Sequence, residues 1–282
     1  MWRVVVGLVA VGFAVLAYVY VTLPDVRGLA TDNPTSTAWM RLREEEAARQ
    51  GKTLRHVQRW VPYARISPSL KRAVLVAEDD AFFQHDGIDY VQLRKSIETD
   101  LARGRAVRGA STITQQLAKN LYLSPSRDPL RKLKEWIIAR RLEAALSKQR
   151  IFEIYLNVIE WGDGIWGVEA ASRTYFGVSA SALGPSQSAL LAGAIVNPRR
   201  LSPARPTRRL RNRQAIILAR MGGATGKSLD DEDAEGEEPS ASEAPAAAPS
   251  PAKSDAPAAP SDAAPASEPP VPDTPAAEPP PS

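Results

Sequence analysis

The residues from Glu78 to Gly87 combine three adjacent carboxylates, two aromatics, one histidine and a helix-stopping glycine. A carboxylate such as Glu78, flanked by Val76, Ala77, Phe82 and Phe83, can be desolvated enough to lift its pKa toward the range a general base or acid needs. The same decapeptide can equally be a solvated acidic helix end. A second dense stretch, Gly109 to Leu121, gathers Ser111, Thr112, Gln115, Gln116 and Lys119 about a helix start. Free backbone N–H groups and the helix dipole add there to the lysine charge, which makes an anion site. A polar surface helix is the bland alternative, but it would more often carry Glu and Lys than Thr and Gln. Glu153, which a helical register sets beside Asn157, is the second carboxylate of interest. Proton transfer next to a bound anion is the chemistry these residues suit.

The elements that must position them are helical. Ser67 as N-cap and Pro68 at the first position open a helix whose apolar residues Leu70, Val74, Ala77 and Ala81 recur up to Gly87, so Glu78 falls near its end. Asp89 and Gln92 form a capping box for a helix through Tyr90, Leu93, Ile97 and Leu101, which runs out into the basic, glycine-containing loop 103–109. Ile113, Leu117 and Leu121 make the apolar face of the next helix, with Ser111 placed as its cap. Asp128-Pro129 opens a long helix expected to reach Lys148, in which Arg131 and Glu135 are four residues apart. Further helices are expected over Arg150–Val158, Val168–Phe176 with Gly177 as its stop, Ser186–Val196 and Thr207–Met221. Thr31–Gly51 reads as a polar helix and Thr53–Ala64 as an extended segment or short strand. No series of alternating strands appears, so the domain is all-α or predominantly α.

Val4–Leu23 is apolar except for Thr22, long enough to span a bilayer, and no small-x-small cleavage site precedes Pro24. It reads as an uncleaved anchor over residues 1–24, and the positive-inside rule places its N-terminus weakly in the cytoplasm. The formal charge of +4 hides a split: residues 1–227 hold 35 Lys and Arg against 19 Asp and Glu, whereas 228–282 hold 1 against 13. The folded part is therefore basic and suits an anionic partner; beside an anchor, nucleic acid is the least suitable one. Cysteine is absent, which excludes disulfides and thiolate catalysis. The segment from Ser228 onward is Ala, Pro, Ser and acid, holds 14 of 24 prolines and cannot offset the entropy of ordering, so it reads as a disordered tail.

Some motifs fail. Gly222–Ser228 resembles a phosphate loop but lacks the first glycine, at Met221, and a preceding strand. Ser250-Pro251-Ala252-Lys253 lies in the tail without the partner elements of acyl-enzymes. His56 and His85 alone give a histidine metal site or a serine–histidine triad little to use.

In order along the chain, Glu78–Gly87, Gly109–Leu123, Arg131–Glu135 and Lys148–Asn157 resemble the Glu-Asp-x-x-Phe-x-x-His-x-Gly, Gly-x-Ser-Thr-Ile-Thr-Gln-Gln-Leu-x-Lys-Asn, Arg-Lys-x-x-Glu and Lys-x-x-Ile-Leu-Glu-x-Tyr-Leu-Asn motifs of the peptidoglycan glycosyltransferases, glycosyltransferase family 51. The similarity spans Val61 to Pro203; a single anchor with no penicillin-binding domain after it looks like the monofunctional biosynthetic members. Phe152 stands where leucine is usual and Gln187 where glutamate is commoner. The resemblance implies a lysozyme-like α fold over residues 61–227, with a small membrane-facing jaw at about 86–109, joined to the anchor by a membrane-proximal segment, residues 25–60. It implies lipid II and the growing lipid-linked glycan as substrates, inverting transfer to the lipid II 4-hydroxyl, and a periplasmic catalytic domain on the inner membrane. Glu78 is then the general base and Glu153 the second carboxylate, beside the leaving diphosphate. Lys119, Arg127, Arg131 and Lys132 sit near the phosphates, and Asp79, Phe82, His85, Ser111, Thr112, Gln115, Gln116, Asn120 and Glu135 complete the substrate site.

No cofactor is required, because the donor is already activated. A divalent cation would help neutralise the diphosphate, yet the sequence holds no dedicated ligand cage. Other cell-wall synthesis proteins are natural partners for such an enzyme. Two alternatives compete: a lytic transglycosylase or muramidase, which would not need the Lys119–Lys132 basic set, and an idle anchored scaffold, which should have lost Glu78 or Lys119.

Overall fold

The computed structural model describes residues 1–103, 111–123 and 129–223. Residues 104–110, which hold all but Arg103 of the expected basic loop, the segment 124–128 that carries Arg127, and residues 224–282, which include the expected tail, lie outside the described residues. The elements in chain order are α1 (Trp2–Thr22), α2 (Ala38–Arg49), β1 (Val57–Gln58), α3 (Pro68–Glu78), α4 (Tyr90–Arg103), α5 (Ile113–Tyr122), α6 (Pro129–Ala145), α7 (Lys148–Val158), β2 (Glu160–Gly162), β3 (Ile165–Trp166), α8 (Val168–Phe176), α9 (Pro185–Ala194) and α10 (Arg208–Met221). The fold is predominantly α, with one small sheet in the order β1-β3-β2, parallel between β1 and β3 and antiparallel between β3 and β2.

α1 is 21 residues of mean hydropathy 2.6 and buries nothing against the rest of the chain. At 1.5 Å per residue it is about 31 Å long, enough to cross a bilayer. Immediately after it the chain turns extended, and Leu23 and Val26 join the main hydrophobic core. Arg141 on α6 donates to the Tyr20 carbonyl at 2.6 Å and the Leu23 carbonyl at 3.3 Å, and its guanidinium lies 4.3 Å from the Tyr20 ring centroid. The last carbonyls of an apolar helix have no intrahelical donors, so a cation there satisfies them. Arg150 extends the grip, donating to the carbonyls of Leu29 and Asp32.

α7 is the centre of the domain: Ile151, Phe152, Ile154, Tyr155, Leu156, Asn157 and Val158 are all buried. A helix apolar on nearly every side is a core helix, and α7 contacts α5, α6 and α8. Its buried polar side chains, Tyr155 and Asn157, are satisfied by distant parts of the chain. Asn157 accepts from the Val61 amide at 2.8 Å and donates to the Val61 carbonyl at 2.9 Å, pinning the chain that leads into α3. α9 and α10 pack on α3 and on each other. Gln187 accepts from the Gly184 amide at 3.1 Å, so the amide supplies the acceptor that a glutamate would supply at the start of α9.

Several expected boundaries move. α2 begins at Ala38 rather than Thr31, because Thr37 caps it by accepting from the Met40 amide at 3.1 Å. Ser67 sits at the N-cap of α3 but donates to the Leu183 carbonyl at 2.6 Å instead of capping. α3 stops at Glu78, short of Gly87, and a single 3-10 turn at Phe82–Gln84 replaces the expected continuation. α6 ends at Ala145, since Ser147 caps a new helix by accepting from the Arg150 amide at 3.2 Å.

Candidate active site

Glu78 is the last residue of α3 and its carboxylate is oriented from α5 and α7. The Gln116 amide donates from Nε2 to Glu78 Oε2 at 2.8 Å, and the Tyr155 hydroxyl donates to Gln116 Oε1 at 2.9 Å. Tyr155 is fully buried, and burial holds its hydroxyl well above the usual tyrosine pKa, so it remains a proton donor. A carboxylate only accepts, so Glu78 faces Nε2, and the Tyr155 hydroxyl, free to donate, binds the Oε1 left on the other side.

The residues after Glu78 form a brace. Asp79 accepts at Oδ2 from the Ile113 amide at 3.0 Å, at the first position of α5, and its Oδ1 lies 3.0 Å from His85 Nε2. Because a carboxylate only accepts, His85 carries its proton on Nε2; its Nδ1 is buried and has no partner among the described residues. Thr112 donates to the Gly87 carbonyl at 2.7 Å while accepting from the Gln115 amide at 3.3 Å, so Thr112 rather than Ser111 caps α5. Gly87 takes φ +82°, and an added Cβ would stand 3.0 Å from Glu143 Cγ. The expected anion site at the start of α5 is thus engaged by the protein's own Asp79.

Phe82 differs from expectation in the same way. It is fully buried against Phe152, with ring centroids 5.6 Å apart, under Lys148 Nζ at 4.4 Å, and so belongs to the core rather than to a ligand surface. Lys148 is itself fixed by Glu143 at 2.8 Å, an acceptor it shares with the Thr114 hydroxyl. Asn120 donates back to the Gln116 carbonyl at 2.8 Å, a bond within α5.

The cations gather one helical turn further on. Buried Glu135 accepts from Arg131 Nη1 at 2.9 Å and from Lys132 Nζ, and Lys132 also reaches Gln115 Oε1 at 3.2 Å and Ser111 Oγ at 3.4 Å. Lys119 completes the group: burial pushes its pKa below the usual lysine value, Glu135 and Glu78 pull it up, and Arg131 and Lys132 push it down. Lys119 follows Gln115 by four residues and Gln116 by three on α5, and those two glutamines bond Lys132 and Glu78, so the lysine shares the helix face that joins the two halves of the site.

Glu153 lies elsewhere in the scaffold. Its Oε2 accepts from the Tyr63 amide at 2.8 Å and its Oε1 from Arg150 Nη1 at 2.5 Å, so it fastens the segment before α3 to α7. Both oxygens carry structural bonds, and the carboxylate grouped with Lys119, Arg131 and Lys132 is Glu135 instead. Arg127 lies outside the described residues. Among the described residues, no group of three or more His, Asp and Glu side chains is placed to hold a metal ion. Sequence reasoning missed Tyr155, although it stands inside the Lys148–Asn157 motif.

The family model described as Transglycosylase matches residues 45–222. Three similar proteins each bear the name biosynthetic peptidoglycan transglycosylase. That of Aromatoleum aromaticum is 55% identical over 170 residues, covering 60% of this chain and 73% of its own. That of Dechloromonas aromatica is 49% identical over 192 residues, covering 68% and 83%. That of Nitrosospira multiformis is 42% identical over 224 residues, covering 79% and 96%.

Proposed function

Because the chain belongs to the transglycosylase family of peptidoglycan synthesis, we propose that it polymerises lipid II into linear glycan strands by inverting transfer and releases undecaprenyl diphosphate. The observation that carries the proposal is the pairing of an oriented carboxylate, Glu78, with a cluster of cations at Lys119, Arg131 and Lys132.

In this reading the growing lipid-linked chain is the donor. The 4-hydroxyl of an incoming lipid II sugar attacks the anomeric carbon, Glu78 takes the hydroxyl proton, and the bond between that carbon and the diphosphate oxygen breaks. Charge develops on the leaving diphosphate, where Lys119, Arg131 and Lys132 act as a fixed electrostatic clamp that needs no rearrangement during the reaction. Glu135 holds Arg131 and Lys132 in place, so it serves as the second carboxylate of the site, and Glu153 acts through the Tyr63 segment as a positioning residue. Asp79, His85, Thr112 and Gln115 hold the Glu78 loop against α5. A divalent cation would add to the clamp as a stimulant rather than as a fixed component.

The anchor then sets the geometry. We place α1 across the bacterial inner membrane with its N-terminus cytoplasmic and the catalytic domain periplasmic, facing other wall-synthesis proteins. The exposed Tyr90, Val91 and Ile97 of α4, interleaved with Arg94 and Lys95, suit a jaw that rests on lipid headgroups. Incubating the purified chain with lipid II and resolving the products on a gel tests the proposal. A ladder of glycan strands is expected; unchanged lipid II would overturn it.

A further inference from the structure

α2 precedes the site in the chain, and all but its last turns lie ahead of the family-matched residues 45–222. It nevertheless packs against α5 and lays Trp39 beside Lys119. Lys119 Nζ stands 5.6 Å from the Trp39 ring centroid, and the Arg43 guanidinium stands 5.3 Å from the same ring. Arg43 is bound to Glu46 at 2.7 Å and to buried Glu160 at 3.1 Å, which ties α2 to β2 and keeps the ring in place. The Trp39 indole N–H is buried without a hydrogen-bond partner among the described residues, so no hydrogen bond accounts for where the ring lies. No hydrogen-bond acceptor among the described residues reaches Lys119 Nζ either.

We propose that Trp39 is a positioning residue for glycosyl transfer, its π face holding the Lys119 ammonium in place while leaving all three N–H donors for diphosphate oxygens. A carboxylate partner would neutralise the charge and compete with the substrate. The two within electrostatic reach, Glu78 and Glu135, are engaged by Gln116 and by Arg131 and Lys132. A ring attracts a cation without consuming its donors, and more strongly when the pair is shielded from water. That attraction opposes the burial, and the Arg131 and Lys132 charges, that favour the neutral amine. The inference rests on the reading that Lys119 binds substrate phosphate.

Full-length Trp39→Leu, Trp39→Phe and Trp39→Ala chains separate this role from simple packing, since leucine keeps an apolar side chain and loses the ring. Two readouts are needed: KM and kcat for lipid II across pH, and the Lys119 pKa from NMR of isotopically labelled lysine ε-carbons, assigned with Lys119→Arg. Trp39→Leu and Trp39→Ala are expected to raise KM roughly 2- to 30-fold, the span of a cation–π contact, with a smaller change in kcat. The alkaline limb of the profile and the Lys119 pKa should both move to lower pH, and Trp39→Phe should restore most of each. A Trp39→Leu chain with wild-type KM and wild-type Lys119 pKa overturns the proposal, as does a Trp39→Phe chain as impaired as Trp39→Leu. A wild-type chain inactive on lipid II overturns the functional reading alone; a drop in Lys119 pKa in Trp39→Leu would still support the ring–ammonium coupling.

Discussion

The Tyr155 hydroxyl donates to Gln116 Oε1 across 2.9 Å, and that bond holds the amide whose Nε2 donates to Glu78. A buried tyrosine in the central helix therefore supports the Glu78 carboxylate through one intermediary. Tyr155→Phe keeps the ring in a site with no exposed surface and removes only the hydroxyl. Without it Oε1 loses its donor and the amide is held from the Glu78 side alone. A kcat loss of about 3- to 10-fold is expected, the worth of one neutral hydrogen bond, with little change in KM. Steady-state kinetics with lipid II check this, and an unchanged kcat would show that Gln116 is oriented by something else.

The clamp predicts a salt signature. Lys119→Ala and Lys132→Ala should each raise KM roughly 10- to 100-fold at low ionic strength, the range of a hydrogen bond to a charged group. The deficit should narrow as salt is added, because screening already weakens the wild-type contact. Polymerisation rates along a salt series measure this, and parallel curves for variant and wild type would place the phosphate site elsewhere.

Lys119 should also exchange stability for function. Its folded pKa lies below the unfolded value because burial penalises the ammonium. The folded state therefore loses this proton first, and the penalty on stability is full below the folded pKa. It shrinks as pH rises and vanishes above the ordinary lysine value of about 10.4. Lys119→Met should accordingly melt higher than wild type at neutral pH while losing turnover, and the gain should fade as pH climbs into the lysine range. Calorimetry at several pH values decides the matter; a lower melting temperature at neutral pH would contradict it.

Arg141 should matter only where there is a bilayer. It joins the end of α1 to α6, the helix that also carries Arg131, Lys132 and Glu135. Arg141→Ala should cost several-fold more activity in vesicles than in detergent, where enzyme and micellar substrate meet in any orientation. Removing residues 1–22 should widen that ratio, and removing residues 228–282 should leave it near wild type. Equal losses in both media would mean that the anchor is a plain tether.

Much of this was legible in the chain. Pro68, Gly177 and Thr207 mark helix ends that the fold keeps, because proline, a left-handed glycine and a threonine cap act through local backbone geometry. Glu78, Gln116, Lys119, Arg131, Lys132 and Glu135 were recognisable as an ordered set of motifs. The partnerships were not, since they join residues far apart in sequence. Asp79 engages the start of α5 from 34 residues away, and Glu153 accepts from the Tyr63 amide across 90, a bond that ties the segment before α3 to α7. Phe82 misled for a related reason: an aromatic in an acidic cluster looks like a ligand contact until Phe152 and Lys148 are seen around it.

The most direct measurement concerns Glu78 itself. Glu78→Gln keeps the shape of the side chain and removes the base, so lipid II binding should stay near wild type while polymerisation falls by about two to four orders of magnitude. Parallel measurement of lipid II affinity and of glycan strand formation gives both quantities on one preparation. Near-normal binding with almost no polymer is the predicted result; wild-type turnover by Glu78→Gln would contradict the assignment of Glu78 as the base.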